Sequence, residues 1–176
     1  MPNHCSSILR IKGPAQDRAA FRAYARGSGP AWDGAVPKPE DELQLDLNQF
    51  VPVPPDVLGA KKNNQSNAYN SGGYEWCVAN WGTKWGVYDT AVESLKDCLE
   101  YRFLTAWSPF EMPVLEAMAA KFPTLTFELK YGESGMGFGG IMTAYDGEGV
   151  EDSYFEDAFK IAKRDADFEY LMGSSG

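Results

Sequence analysis

Residues 124 to 131 alternate cleanly: Leu125, Phe127, Leu129 and Tyr131 are apolar or aromatic, while Thr126, Glu128 and Lys130 between them are polar. A period of two marks a strand with one face on a core and the other toward water. The glycine-rich stretch Gly132-Glu133-Ser134-Gly135-Met136-Gly137 then leads to a second candidate strand, Phe138 to Tyr145, so the two read as an antiparallel hairpin. A hairpin is not stable by itself, and it needs further strands and a cover of helices.

Both are legible elsewhere. Cys5 to Lys12 reads as a strand with Ser7, Leu9 and Ile11 on one face, ended by Gly13-Pro14. Pro14 suits the first turn of a helix to about Ala25, striped by Ala20, Phe21 and Tyr24. Gly27 to Glu42 is a loop by its glycines and prolines, Leu45 to Val53 a predicted short strand, and 59–73 a predicted mobile loop. Tyr74, Val78 and Trp81 lie at helical spacing and predict a short helix closed by Gly82. Trp85 to Ala91 and Leu99 to Trp107 follow as strands, the second with Tyr101, Phe103, Thr105 and Trp107 on one face. Leu115, Met118 and Phe122 then predict a helix from Glu111 to Phe122. From Asp152 to Leu171 the residues Phe155, Phe159, Ala162, Ala166 and Tyr170 fall three or four apart. They predict one amphipathic helix that docks on its own body or on a second copy as a homodimer, with Gly173 to Gly176 disordered. The order implies an α+β chain, a mainly antiparallel sheet with helices on one face plus a C-terminal helix, and ferredoxin-like is the nearest template. We divide it into a domain over 1–146 and an acidic helix and tail over 147–176, so that a chain cut after Gly149 is expected to fold.

No apolar run approaches the roughly 20 residues of a membrane span, and Met1-Pro2-Asn3-His4-Cys5 lacks a signal-peptide profile, which predicts a cytoplasmic protein. Cys5, Cys77 and Cys98 are odd in number, widely spaced and set in apolar contexts, so they read as buried thiols. Neither a disulfide framework nor a zinc site with His4 is expected, and no cofactor is. Charge is polarised. Residues 1–30 carry Arg10, Lys12, Arg18, Arg22 and Arg26 against Asp17 alone, and residues 146–170 carry nine acids against Lys160, Lys163 and Arg164. Two solvated surfaces explain this without a partner, and the sharper reading is an acidic end that meets a basic one.

Several runs resemble the YubB ferredoxin-like domain family, small proteins of phages and plasmids. They are Met1 to Ser6, Phe50-Val51-Pro52-Val53-Pro54, Tyr74 through Asn80-Trp81-Gly82-Thr83-Lys84-Trp85, Phe103 through Trp107-Ser108-Pro109, and Phe122-Pro123 through Tyr131, Glu133, Gly135, Phe138 and Gly140. The resemblance implies the fold and a mobile-element origin, and it carries no catalytic residues. His4 stands where many relatives are expected to have an aromatic, and the acidic tail after Asp146 lies outside the resemblance.

The candidate binding residues are Trp81, Lys84, Trp85 and Trp107, joined by Tyr131 and Glu133 at a strand end. The tryptophans read first as core where the short helix meets the sheet. The alternative is an exposed aromatic face with Lys84 on its rim, able to bind a protein or to stack bases. A net charge of −9 weighs against nucleic acid. No GxSxG, HExxH or P-loop occurs, and the 132–137 glycines join strand to strand instead of opening a helix that could hold phosphate. The expected function is a non-enzymatic phage- or plasmid-encoded interaction protein, whose acidic surface engages a host protein as an anti-defence or host-modulating factor. The alternatives are a nucleic-acid or nucleotide-binding module and a small hydrolase or transferase with a carboxylate site.

Overall fold

The computed structural model describes residues 3–61 and 65–173. Six strands form one antiparallel sheet in the order β2-β3-β1-β4-β5-β6. β1 is His4–Lys12, followed by helix α1, Ala15–Tyr24. After two short helices, α2 (Pro55–Leu58) and α3 (Tyr74–Trp81), come β2 (Tyr88–Ser94) and β3 (Leu99–Ala106). Helix α4 (Met112–Lys121), β4 (Thr126–Glu133) and β5 (Phe138–Tyr145) lead to β6 (Glu148–Phe155), α5 (Ala158–Ala162) and α6 (Ala166–Gly173). The unit β1-α1-β2-β3-α4-β4, with β1 between β3 and β4, is the ferredoxin-like arrangement, and β5 and β6 extend its sheet. Among the described residues no helix is long and apolar enough to cross a membrane.

Strand alternation divides the side chains between two faces. The front carries Leu9 and Ile11 of β1, Tyr101 of β3, and Phe127 and Leu129 of β4, all buried under α1, α4 and the segment 45–53. Phe21 of α1 is the hub. Its ring lies 5.2 to 5.4 Å from those of Phe122, Phe127 and Phe50 and 6.1 Å from that of Tyr101. The back carries Ile8, which packs with Ala158, Phe168, Leu171 and Met172 of α5 and α6. Those helices sit low because β5 offers Gly139, where a Cβ would come within 2.9 Å of Ala158 and 3.1 Å of Phe168.

Around this small apolar patch, charges fasten α6 to the strands. Arg10 gives both terminal nitrogens to Asp167, at 2.6 and 2.8 Å, and its Nε to Glu100 at 2.9 Å. Lys130 reaches the same Asp167 at 2.8 Å, and the Arg102 guanidinium lies 4.3 Å from the Tyr170 ring centre. The Arg10 guanidinium holds the Asp167 carboxyl well below the usual carboxylate range, with Lys130 adding to it. Burial pushes Glu100 up, but Arg102 and Arg10 outweigh it and leave it low. Part of the sequence's charge asymmetry is therefore consumed inside the molecule, basic β1 against acidic α6.

The hairpin over 124–145 is present, with Thr126 opposite Tyr145 and Glu133 opposite Phe138. Other expectations change. Leu45 to Val53 is not a strand. Asp46 accepts from the amides of Gly29 and Asn48, and Asn48 accepts from that of Val53, so local side-chain acceptors take the bonds a ladder would need. The strand expected at Trp85 begins only at Tyr88. The helix 74–81 forms, but it buries Cys77 and Trp81 and leaves Tyr74 and Val78 exposed.

The largest change is at 152–171, which is not one helix. Asp146 and Gly147 both have positive φ, 51° and 81°, as a two-residue type I′ hairpin turn requires, and the chain returns as β6. Asp165 then accepts from the amides of Asp167 and Phe168 and starts α6 afresh. The buried set is Ala158, Phe168, Leu171 and Met172, whereas Phe159 and Tyr170 of the expected stripe are exposed. Within the expected loop 59–73, Tyr69–Gly73 makes a wide helical turn, and 62–64 lie outside the described residues. So do Met1 and Pro2 of the resembling N-terminus and 174–176 of the expected disordered end.

Candidate functional site

The tryptophan run is split between core and surface. Trp81 is 1 % exposed, its Nε1 donates to the Val51 carbonyl at 2.9 Å, and its ring meets Trp76 edge-on at 5.5 Å. It is a core residue. Trp85 and Trp107 are 40 % and 46 % exposed. The Lys84 ammonium sits 4.9 Å from the Trp107 ring centre, a cation–π contact at the surface. Trp107 holds φ at 70°, a left-handed value that costs a bulky residue energy.

This run braces the loop that follows β3. Thr83 donates to the Ala106 carbonyl at 3.1 Å, Ser108 donates to the Gly82 carbonyl at 2.7 Å, and the Glu111 amide donates to the Trp81 carbonyl at 3.0 Å. The Glu111 side-chain stem lies across Gly82 so closely that a Cβ there would strike it. Trp81-Gly82 thereby acts at a distance: a buried ring and a missing side chain fix where residues 108–111 stand.

Those residues form one wall of a cleft of about 460 Å³, the size of many small-ligand sites. Met112 and Pro113 of α4 continue the wall, and the floor is the front of β4-β5-β6. Register assembles that floor. Tyr131 lies opposite Gly140, which lies opposite Tyr154, and Met142 lies opposite Asp152. Gly140 leaves space that the Tyr131 phenol fills. Phe138 stacks with Tyr154 at 6.0 Å and 30°, and meets Tyr131 near-perpendicular at 6.5 Å. Burial first, then the nearby Asp152 charge, pushes the Tyr131 phenol up to about 12, so it stays a hydroxyl donor at neutral pH.

Two carboxylates, Glu111 and Asp152, complete the lining, which among the described residues includes no lysine or arginine. Neither has an ion-pair partner among the described residues. Glu133, by contrast, is 1 % exposed, and its two oxygens accept from the amides of Gly135 and Met136 at 2.7 and 2.8 Å. It shapes the β4–β5 turn and does not line the cleft. Of the six candidate residues, Tyr131 alone lines it, while Lys84, Trp85 and Trp107 lie on the neighbouring loops. Phe138, Tyr154, Asp152 and Glu111 were missed. The Asp146-Gly147 pair signals the return strand, but its two-residue register would set Glu151 and Ser153 across from Met142 and Gly140. It is the register shift between Thr143 and Ala144 that brings Asp152 and Tyr154 there.

The remaining reactive side chains stand apart. His4 Nδ1 is 2.6 Å from the Tyr88 hydroxyl, Cys5 and Cys77 are buried, and burial pushes the Cys77 thiol up to about 12.

The six-stranded sheet with helices at front and back defines the class, a ferredoxin-like α+β protein. The chain belongs to the family described as the ferredoxin-like domain in Api92-like protein, which matches residues 80–172. That match includes the acidic segment after Asp146, so the segment is no private addition. The crystal structure of a protein api92 from Yersinia pseudotuberculosis has the same fold, with a TM-score of 0.58 at 9 % identity, over 88 % of this chain and 98 % of that one. No curated protein matches the chain.

Proposed function

We propose that this is a non-enzymatic interaction protein, of the phage- or plasmid-borne kind that its YubB resemblance implies, whose acidic β5–β6 side binds a basic surface of a host protein. The observation that carries the reading is the cleft: three aromatic rings and two carboxylates that have no ion-pair partner among the described residues, in a molecule of net charge −9. Such a lining attracts cations and repels phosphate. The engaged Glu133 carboxylate and the buried thiols further weaken a hydrolase or transferase reading.

Hydrogen exchange on the whole chain tests this, with an arginine- and lysine-rich peptide in one arm and single-stranded DNA in the other. Protection of β5, β6 and 108–113 by the peptide, weakening with salt, is the expected result. Protection of 80–86 and 105–108 by DNA instead would favour the second reading, a nucleic-acid module built on Trp85, Lys84 and Trp107. The exposure of those rings and the strained φ of Trp107 speak for that reading.

A further inference from the structure

We infer that the cleft is a receptor for one arginine side chain of the partner, with Tyr154 and Phe138 stacking on the guanidinium and Asp152 and Glu111 neutralising it. This rests on the reading of a basic protein partner and names the group that the partner inserts.

The geometry favours a flat cation. Phe138 and Tyr154 lie 30° apart at 6.0 Å, and Tyr154 is 61 % exposed, so much of its surface is left for a planar group to cover. Guanidinium is planar and weakly hydrated, and it stacks on rings while its edge N–H groups bond carboxylates; ammonium has no plane to stack. Asp152 comes from the β6 floor and Glu111 from the opposite wall, so two acids on different elements converge on the cleft. Glu111 is held in place beforehand by the Trp81 carbonyl and by its stem on Gly82, which lowers the cost of ordering it on binding. The Tyr131 hydroxyl, beside Asp152, supplies a further polar group at the floor. A nucleotide would bring phosphates toward both carboxylates, with no cation among the described residues of the lining to receive them.

The test is an NMR titration of the full chain with N-acetyl-arginine amide, its lysine analogue and its citrulline analogue, which keeps the shape but not the charge. Shifts centred on Tyr131, Phe138, Tyr154 and Glu111, in the order arginine, then lysine, with citrulline silent, are expected. An arginine-bearing basic peptide should bind Tyr154→Leu and Asp152→Asn each about tenfold more weakly, and Tyr154→Phe nearly as wild type, because the ring is what the cation needs. Equal binding of citrulline, shifts elsewhere on the surface, or unchanged affinity in Y154L and D152N with folding intact would overturn the inference. If the variants bind the basic peptide as wild type does, only the arginine receptor fails. If wild type binds no basic peptide, the reading beneath it fails too.

Discussion

On the front of the sheet α1 and α4 are held by rings and aliphatic chains, with Phe21 at the hub. On the back α6 is held by five buried apolar residues ringed by Arg10, Glu100, Arg102, Lys130 and Asp167. Apolar burial is roughly proportional to area and indifferent to pH, whereas a partly buried ion network is directional, screened by salt and lost when one member changes charge. The two covers should therefore fail under different conditions. The front decides whether the chain folds, and the back decides under which conditions it stays closed.

The largest expected effect is on the front. Trp81→Ala removes a fully buried ring and its bond to Val51, and should cost about 3–5 kcal/mol in chemical denaturation. A change of under about 1 kcal/mol would mean the site collapses around the loss.

Next comes the back. Asp167→Ala leaves Arg10 and Lys130 without the carboxylate they share, and its side chain is 18 % exposed, so solvent recovers part of the loss. About 2 kcal/mol is expected, within the range for charge-assisted bonds, and hydrogen exchange should rise in α5 and α6 before the front strands. Simultaneous opening of both faces would erase the distinction between them.

Acid should reproduce that loss more gently. Asp167 and Glu100 titrate below their ordinary values when folded, so their contribution is complete above about pH 4 and falls away as the pH drops further. Lys130 has the opposite sign. Burial depresses it, but Asp167 outweighs burial and leaves it raised, so its share persists at neutral pH and is lost only in strong base. Melting temperatures from pH 7 down to 3 should decline less steeply in Asp167→Asn than in wild type. Parallel declines would remove Asp167 from the account.

The smallest effect belongs to the surface rings. Trp85→Ala should cost less than about 1 kcal/mol, and Trp107→Gly, at φ 70°, should be neutral or stabilising because glycine adopts that conformation freely. A cost above about 2 kcal/mol for either would return it to the core.

Where periodicity had a single cause, the sequence was readable. Leu125, Phe127, Leu129 and Tyr131 alternate because one face meets the front helices, and the hairpin followed directly. The tail was misread because its apolar residues serve two elements. Phe155 ends β6, Phe159 lies in α5 and Tyr170 in α6, and their three-to-four spacing bridges two breaks. Two polar signals outranked that spacing, the Asp146-Gly147 turn and the Asp165 cap. A chain ending at Gly149 would consequently lose most of β6 and the entire back cover, leaving Ile8, Arg10 and Lys130 bare on the sheet. In the site, Tyr131 was legible from its strand. Glu111 and Asp152 were not, since each is an ordinary surface acid until register and the Trp81-Gly82 brace bring it to the cleft.

The bond from Arg10 to Asp167 spans 157 residues. At translation rates of about 5–20 residues per second, roughly 8–30 s separate the synthesis of its two ends. Through that interval β1 waits on the ribosome, first without β3 and β4 and then, once they pair, with Ile8 and Arg10 still bare on its outer side. The strand made first is the one completed last. Such distant closure slows folding, and a nascent chain with an uncovered sheet is what chaperones bind or neighbouring chains capture. The delay is written into the order of the strands, whichever partner the finished protein meets.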